Sequence, residues 1–183
     1  MSQFQMDEEK ISAIAEKFGT NADTVRDLYK KYADLSMRMK DQFLAHVMRS
    51  LEDYIRENCD APLFRITCKA STNNPAIKGT GCASYQKKLA FNIVYDSQMD
   101  AKQARVVIAH ELGHLFAITV FNKDYKEKHE PLSSIFGIFT ILDKNDFYSD
   151  KSKTIPFQHK SWNDIVSDFS LLKNRADGIE NLS

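Results

Sequence analysis

Two histidines and one glutamate interrupt an apolar run in the middle of the chain. The run reads VVIAHELGHLFAI over residues 106–118, and its polar members are His110, Glu111 and His114. Residues four apart share one face of an α-helix, so both imidazoles could bind one metal ion. The adjacent glutamate could hold a water molecule beside that ion and accept its proton. The spacing predicts one zinc ion bound by His110 and His114, with Glu111 as the general base.

The apolar surroundings of this HExxH motif argue against a chance occurrence. Such a spacing arises by chance in on the order of one chain in a few hundred, usually within a segment of mixed polarity. Here apolar residues flank the motif at 106–109 and 115–118, so a helix in this run would be buried. Burial of unpaired polar groups is costly unless a partner satisfies them. A bound metal ion would satisfy these groups, which favours the metal-site interpretation.

Gly113 stands inside the same predicted helix. Glycine costs a helix about 1 kcal/mol relative to alanine, so its presence here asks for a reason. The missing side chain would allow another segment to approach the helix closely. We therefore predict that part of the chain packs directly against Gly113, next to the metal.

A catalytic zinc ion normally has three protein ligands and a water molecule, and the motif supplies only two ligands. Glu130 is the favoured third ligand, because Pro131 would begin a helix, LSSIFGIFTIL, whose apolar face could pack on the motif. His129 is the alternative, as a ligand or as a hydrogen-bond donor to the oxyanion of the substrate. Glu130 could instead serve only to complement the dipole of that helix. The other candidate ligands or donors are Asp124, Tyr125, Glu127, Asp143, Asp146, Tyr148 and His159.

The pattern of apolar residues predicts an α+β fold. Residues 1–58 read as helices with a break at Gly19-Thr20-Asn21. The segments LFRITCKA, GCASYQ and LAFNIVY read as strands, and a turn at residues 86–88 would join the last two. Asp100 could cap a helix from Ala101 to about Val120, and the charged segment NKDYKEKH would connect it to the next helix. A last amphipathic helix would carry Trp162, Ile165, Val166, Phe169 and Leu172.

The composition indicates one globular core and no strong attraction to polyanions. The chain has 183 residues, 43% of them hydrophobic, which is enough for one sizeable core. Its 25 basic and 25 acidic residues give zero net charge, which disfavours nucleic acid or an anionic membrane as a partner. Cys59, Cys68 and Cys82 are odd in number and lack CxxC spacing, so neither disulfides nor a thiolate metal site is expected. The acidic N-terminus MSQFQMDEEK and the lack of an apolar run of about 20 residues favour a cytoplasmic protein.

The segment LAFNIVYDSQMDAKQARVVIAHELGHLFAI resembles the ImmA/IrrE family of metallopeptidases. The shared features are a strand with an apolar-Asn-apolar end and a following helix that enters AHELGHLF, within roughly residues 89–142. The resemblance implies a zincin-like domain with a small sheet over residues 59–183, preceded by an N-terminal helical segment, residues 1–58. It also implies that His110 and His114 bind the metal and that Glu111 is the catalytic glutamate. The substrate that it implies is an intracellular protein such as a transcriptional repressor.

The chain departs from the family pattern at the third ligand. Family members begin the next helix with Glu-Ala-Asn or Glu-Ala-Asp, followed after one residue by Phe-Ala. The stretch Ser133-Ser134-Ile135-Phe136-Gly137 matches the small residues and the phenylalanine, but Leu132 stands in place of the glutamate. The nearest glutamate is Glu130, two residues earlier, so the resemblance alone does not identify the third ligand.

The segment ISAIAEKFGTNADTVRDLYKKY fits a helix-turn-helix template. Ala15, Gly19, Val25 and Leu28 occupy the positions of the small residue, the turn glycine and two core residues. DNA binding is nevertheless disfavoured, because residues 1–58 contain 9 Lys and Arg against 11 Asp and Glu, a net charge of −2. Phosphate contacts supply most non-specific DNA affinity, and an acidic segment makes few of them. A structural or partner-docking role for these helices is the preferred interpretation.

The sequence thus predicts a zinc-dependent metalloendopeptidase that cleaves an intracellular protein, in which Glu111 activates the attacking water. The alternative is a non-catalytic regulator, in which a zincin scaffold binds a partner protein with or without a structural metal ion. The change at Leu132 is the reason to retain that alternative.

Overall fold

The computed structural model describes residues 6–36, 44–71, 81–98, 101–121, 125–143, 166–167, 169–170 and 179–180. Over these residues the chain is an α+β protein with five α-helices and a small mixed sheet. The predicted α+β class is confirmed at this level.

Two helices open the described part of the chain. Helix α1 spans Glu8–Lys17 and helix α2 spans Ala22–Ser36. Asp7 caps α1 and Asn21 caps α2, each by accepting a hydrogen bond from the main-chain N–H three residues later, at 2.9 Å and 2.8 Å. Gly19, with φ of +65°, makes the left-handed turn between the helices. The predicted break between these two helices is confirmed.

The sheet consists of β1 (Arg65–Ser71), β2 (Gly81–Gln86), β3 (Ala90–Asp96) and β4 (Ile179–Glu180). Its strand order is β1-β3-β2-β4, with β1 parallel to β3, β2 antiparallel to β3 and β4 parallel to β2. The three predicted strands and the β2–β3 hairpin are confirmed. Alternate residues of this hairpin form the buried face of the sheet, namely Ala83, Tyr85, Phe91 and Ile93.

Helix α3, Leu44–Asn58, covers the outer edge of β1. Glu52 and Arg56 of α3 form an ion pair with a 2.9 Å separation. Glu52 also accepts a 2.8 Å hydrogen bond from the main-chain N–H of Ile66, and Nε of Arg56 donates one of 2.7 Å to the carbonyl of Phe64. Open strand edges invite pairing with other chains, so this ion pair protects the beginning of β1.

Helix α4, Ala101–Phe116, lies at the centre of the fold. It contacts β2 and β3, and it also contacts helix α5, Tyr125–Asp143. Residues 104–117 are all buried, as expected for a helix that is covered on every side. Beyond Phe116 the chain continues as one π-helical turn, Ala117–Phe121, so the helical segment ends close to the predicted Val120. The predicted cap, Asp100, lies outside the described residues.

Helix α5 begins earlier than the sequence indicates. Pro131 is its seventh residue, so the predicted start at Pro131 is wrong, and so is the assignment of residues 125–129 to the connector. Lysine and glutamate dominate the residues before the proline, and both are good helix formers. A proline inside a helix removes one main-chain hydrogen bond, and the 19-residue α5 continues through this defect.

Aromatic side chains join the N-terminal helices to the centre of the fold. The ring of Phe136 on α5 lies 4.6 Å from that of Phe116 on α4 and 5.5 Å from that of Tyr32 on α2, centroid to centroid. Tyr29 of α2 meets Phe139 of α5 edge to face at 5.1 Å. Aromatic pairs of this kind add about 0.5–1.5 kcal/mol beyond the burial of their area. Helix α2 therefore shares one core with α4 and α5.

Residues 166–167 and 169–170 belong to the predicted last helix. They are helical, and Phe169 is fully buried. The remainder of that predicted helix, including Trp162 and Leu172, lies outside the described residues. Phe169 is important for the site because both its ring and its carbonyl contact α5.

Two cysteine side chains are described, and neither forms a disulfide. Cys59 and Cys68 carry free thiols. Burial raises the pKa of the Cys68 thiol to about 12, so this side chain stays uncharged at neutral pH. Among the described helices, none is long and apolar enough to cross a membrane.

Candidate metal centre

The three residues of the HExxH motif lie in the buried interior of the fold. His110, Glu111 and His114 each have 0% exposed surface. All three come from adjacent turns of α4, which runs between the sheet and α5. Ionisable side chains are rarely buried completely unless they are paired, and sites of chemistry are where they concentrate.

The two imidazoles lie side by side, as their spacing on a helix requires. Their ring centroids are 4.8 Å apart, and the planes are nearly perpendicular at 88°. Nε2 of His114 lies 3.9 Å from Oε2 of Glu111, which is longer than a hydrogen bond. One ring nitrogen of His114 therefore faces the carboxylate that the sequence analysis assigns as general base.

A serine of α5 contacts the other histidine. Oγ of Ser134 lies 2.9 Å from Nδ1 of His110, and it donates a 3.1 Å hydrogen bond to the carbonyl oxygen of Phe169. All three residues are fully buried. From the sequence, Ser134 is recognisable only as a small residue of the family pattern. It stands 24 residues after His110, and no local spacing connects the two.

The close approach predicted at Gly113 is confirmed. A Cβ atom added to this residue would lie 2.6 Å from Cα and 2.9 Å from the carbonyl carbon of Ser133, and it would overlap the Ser133 carbonyl oxygen. Carbon atoms in ordinary contact are about 3.5–4.0 Å apart. The main chains of α4 and α5 therefore meet at Gly113, and this contact places Ser134 beside His110.

The side chains present suit a divalent ion such as zinc. Imidazole nitrogen is a common zinc ligand, and a carboxylate next to the ion is the usual general base in such sites. Nδ1 of His110 is in contact with Ser134, so this ring would hold a metal ion through Nε2. The motif could therefore supply two ligands and one base, and the ligand types also suit Mn²⁺ or Fe²⁺.

The identity of the third ligand stays a prediction. Glu130 and His129 both belong to α5, but their side chains are outside the described part of the structure. Where side chains are described, no group of three or more His, Cys, Asp or Glu residues is arranged as a complete metal site. Leu132, at the family's glutamate position, is only 2% exposed. The side chains of the other candidates also lie outside the described part of the structure, namely those of Asp124, Tyr125, Glu127, Asp143, Asp146, Tyr148 and His159.

A fourth ionisable side chain of α4 is also buried. Arg105 is 1% exposed and stands five residues before His110. Its signal in the sequence is of the same kind as that of the HExxH motif, namely a charged residue at the start of the apolar run that begins with Val106. Buried arginines are nearly always paired. Arg105 therefore adds a second buried polar position to this central helix, five residues before the motif.

The predicted helix-turn-helix segment is packed on the site-bearing helices. Val25, Leu28 and Tyr32 of α2 are buried. Arg26, a basic residue of α2, bonds to carboxylates, with 2.6 Å contacts to Glu8 and to Asp23. These contacts agree with the preferred structural role of the N-terminal helices.

Comparison of the chain with protein-family models, with curated proteins and with solved structures finds no match. The resemblance to the ImmA/IrrE family therefore depends on the residues quoted in the sequence analysis. The functional interpretation depends on those residues and on the geometry of the buried motif.

Proposed function

We propose that the chain is a zinc-dependent metalloendopeptidase with a zincin-like fold that cleaves a protein substrate in the cytoplasm. The observation that carries this proposal is the complete burial of His110, Glu111 and His114 on one helix, with imidazoles 4.8 Å apart. A helix used only for packing would place apolar residues there, because burial of ionisable groups is costly. The resemblance to the ImmA/IrrE family adds a substrate class, namely transcriptional repressors and related regulators.

Each residue of the site has a role that follows from its chemistry. A bound zinc ion supplies a Lewis acid and lowers the pKa of a bound water molecule to about 7. His110 and His114 would hold the ion through neutral imidazoles, and Glu130 would complete the protein ligands. Glu111 would accept the proton of the attacking water and return it to the leaving amine. His129 is the candidate donor to the oxyanion, and the alternative third ligand.

The first experiment measures the metal content of protein purified without chelator, by elemental mass spectrometry. We expect about one zinc per chain in the wild type, and loss of zinc in His114→Ala and in Glu130→Ala. Leu115→Ala is the matched control, because it truncates the buried neighbour of His114 and removes no ligand. Zinc retained in Leu115→Ala separates the loss of a ligand from a general loss of packing.

The other outcomes of this measurement are equally decisive. Zinc lost in His114→Ala but kept in Glu130→Ala would move the third ligand elsewhere, and His129→Ala would be the next variant. A wild type that binds no zinc, even after zinc is added back, would contradict the proposed peptidase.

The second experiment tests the general base. Glu111→Gln removes the proton acceptor and leaves both histidines, so we expect unchanged zinc content and a hydrolysis rate about 10²–10⁴-fold lower on a peptide library. Glu57→Gln, on the exposed surface of α3, is the matched control. Wild-type hydrolysis by Glu111→Gln would show that Glu111 is not the base.

The second candidate function is that of a non-catalytic regulator built on the same scaffold. One observation favours it: the family's glutamate position is occupied by Leu132, which is buried at 2% exposure and cannot bind a metal ion. In that case the wild type and Glu111→Gln would both lack hydrolytic activity and would bind the same partner protein equally well.

A further inference from the structure

The hydroxyl of Ser134 connects His110 to a main-chain carbonyl. Its oxygen is 2.9 Å from Nδ1 of His110 and 3.1 Å from the carbonyl oxygen of Phe169. A hydroxyl group has one proton, and a carbonyl oxygen can only accept. The proton of Ser134 is therefore committed to Phe169, and the contact with His110 is a hydrogen bond only if Nδ1 of the imidazole carries a proton and donates it.

A proton on Nδ1 determines the state of the other ring nitrogen. A neutral imidazole has one N–H, so Nε2 of His110 then carries the lone pair that a metal ion requires. We propose that Ser134 is a positioning residue that fixes the tautomer and the ring orientation of His110 for metal binding. This role rests on the proposed metallopeptidase function. Ligand histidines in metal sites commonly donate their second N–H to an oxygen acceptor in this way.

Phe169 is itself held on α5 at two points. Its carbonyl accepts the hydrogen bond from Ser134, and its ring lies against Gly137. A Cβ atom at residue 137 would be 2.9 Å from Cδ1 of the Phe169 ring and would overlap Cε1. Residues 134 and 137 lie three apart on one face of α5, so a side chain at 137 would displace the residue that orients Ser134. The contacts of Gly137 with Phe169, and of Phe169 with Ser134, therefore help to determine the orientation of the His110 ring.

The test reads the tautomer of His110 directly. Full-length protein labelled with ¹⁵N-histidine is freed of metal with a chelator and studied by long-range ¹H–¹⁵N NMR at about pH 8, above the usual histidine pKa of about 6.5. We expect the proton of His110 on Nδ1. A proton on Nε2 in the wild type would overturn the proposal, whatever the variants show.

Two variants and one matched control separate positioning from general stability. Ser134→Ala removes the acceptor of the His110 N–H, so we expect a mixture of tautomers and a zinc Kd about 10–100-fold higher. Gly137→Ala should produce the same two changes, although it alters neither His110 nor Ser134. Thr140→Val is the control, because it removes another buried α5 hydroxyl, which bonds to the Phe136 carbonyl at 3.0 Å. If Ser134→Ala behaves like Thr140→Val in both tautomer and zinc Kd, the proposal is wrong.

The readouts also separate this proposal from the proposed function. A wild type that binds zinc with the His110 proton on Nε2 overturns the positioning role and leaves the peptidase intact. A wild type with the Nδ1 proton that binds no zinc overturns the peptidase, although the Ser134 hydrogen bond itself is then supported.

Discussion

Replacement of Gly113 by alanine tests whether the contact that places the site depends on the missing side chain. On an exposed helix this substitution would stabilise the protein by about 1 kcal/mol, because alanine is the better helix former. At Gly113 the new Cβ atom would lie 2.6 Å from Cα of Ser133. To restore a carbon separation of about 3.5 Å, the main chains of α4 and α5 must move apart by about 0.9 Å (3.5 − 2.6).

Main-chain atoms cannot rotate away from this clash as the end of a side chain could. Overpacking of this kind costs about 1–3 kcal/mol, which exceeds the gain in helix propensity over most of its range. We therefore expect the free energy of unfolding to fall by up to about 2 kcal/mol. The same shift would stretch the 2.9 Å contact between Ser134 and His110, so zinc affinity should fall as well.

The assay combines urea denaturation, followed by circular dichroism, with zinc titration. Ala13→Gly, at an exposed position of α1, is the control, because it measures the glycine-to-alanine difference in this protein without any clash. We expect Ala13→Gly to cost about 1 kcal/mol and to leave the zinc Kd unchanged. A Gly113→Ala variant that gains the full control difference in stability, with wild-type zinc affinity, would refute the reasoning.

Two further predictions concern stability away from the site. Arg56→Ala removes the donor to the Phe64 carbonyl, so urea denaturation should show a free energy of unfolding lower by about 1.5–3 kcal/mol. Arg49→Ala, on the exposed surface of α3, is the control and should change the free energy of unfolding by less than about 0.5 kcal/mol. The hydrogen bond from Arg26 holds the pKa of Glu8 below its usual value of 4.5. The ionised Glu8 therefore stabilises the folded protein fully above that pH, and this contribution is lost as the pH falls below it. Denaturation of Glu8→Gln at a series of acidic pH values should therefore show a shallower loss of stability than the wild type, and parallel curves would contradict this.

Local periodicity located most of the helices and strands, because most of them bury a single face against their neighbours, although α4 is buried on every side. Local periodicity could not predict that β1 pairs with β3, since the pattern within one strand does not identify its neighbour in the sheet. The start of α5 was wrong for a different reason. The rule that proline favours the first turn takes no account of the lysine- and glutamate-rich residues before Pro131, which are good helix formers.

The motif could be recognised from sequence because its spacing is one turn of one helix. Ser134 could not, because its contact with His110 arises from the packing of two helices. Gly113 indicated that some segment comes close, but a missing side chain does not identify the segment that fills the space. Phe169 is harder still to recognise, since it accepts the hydrogen bond from Ser134 through its main-chain carbonyl, which every residue carries.

The register of α5 bears on the departure from the family pattern at residue 132. Successive residues of an α-helix are rotated by about 100°, so Leu132 lies about 160° around the helix from Ser134, whereas Glu130 lies only about 40° from it. Ser134 faces His110, and Leu132 shares the opposite face with Phe136, which packs on aromatic rings of α2 and α4. A glutamate at residue 132 of this helix would thus lie on the face of Phe136 and not on the face of Ser134. Glu130 stands one helical turn before Ser134 in the sequence of α5. That spacing is the physical reason to expect Glu130→Ala to release the metal while the apolar residue at 132 is kept.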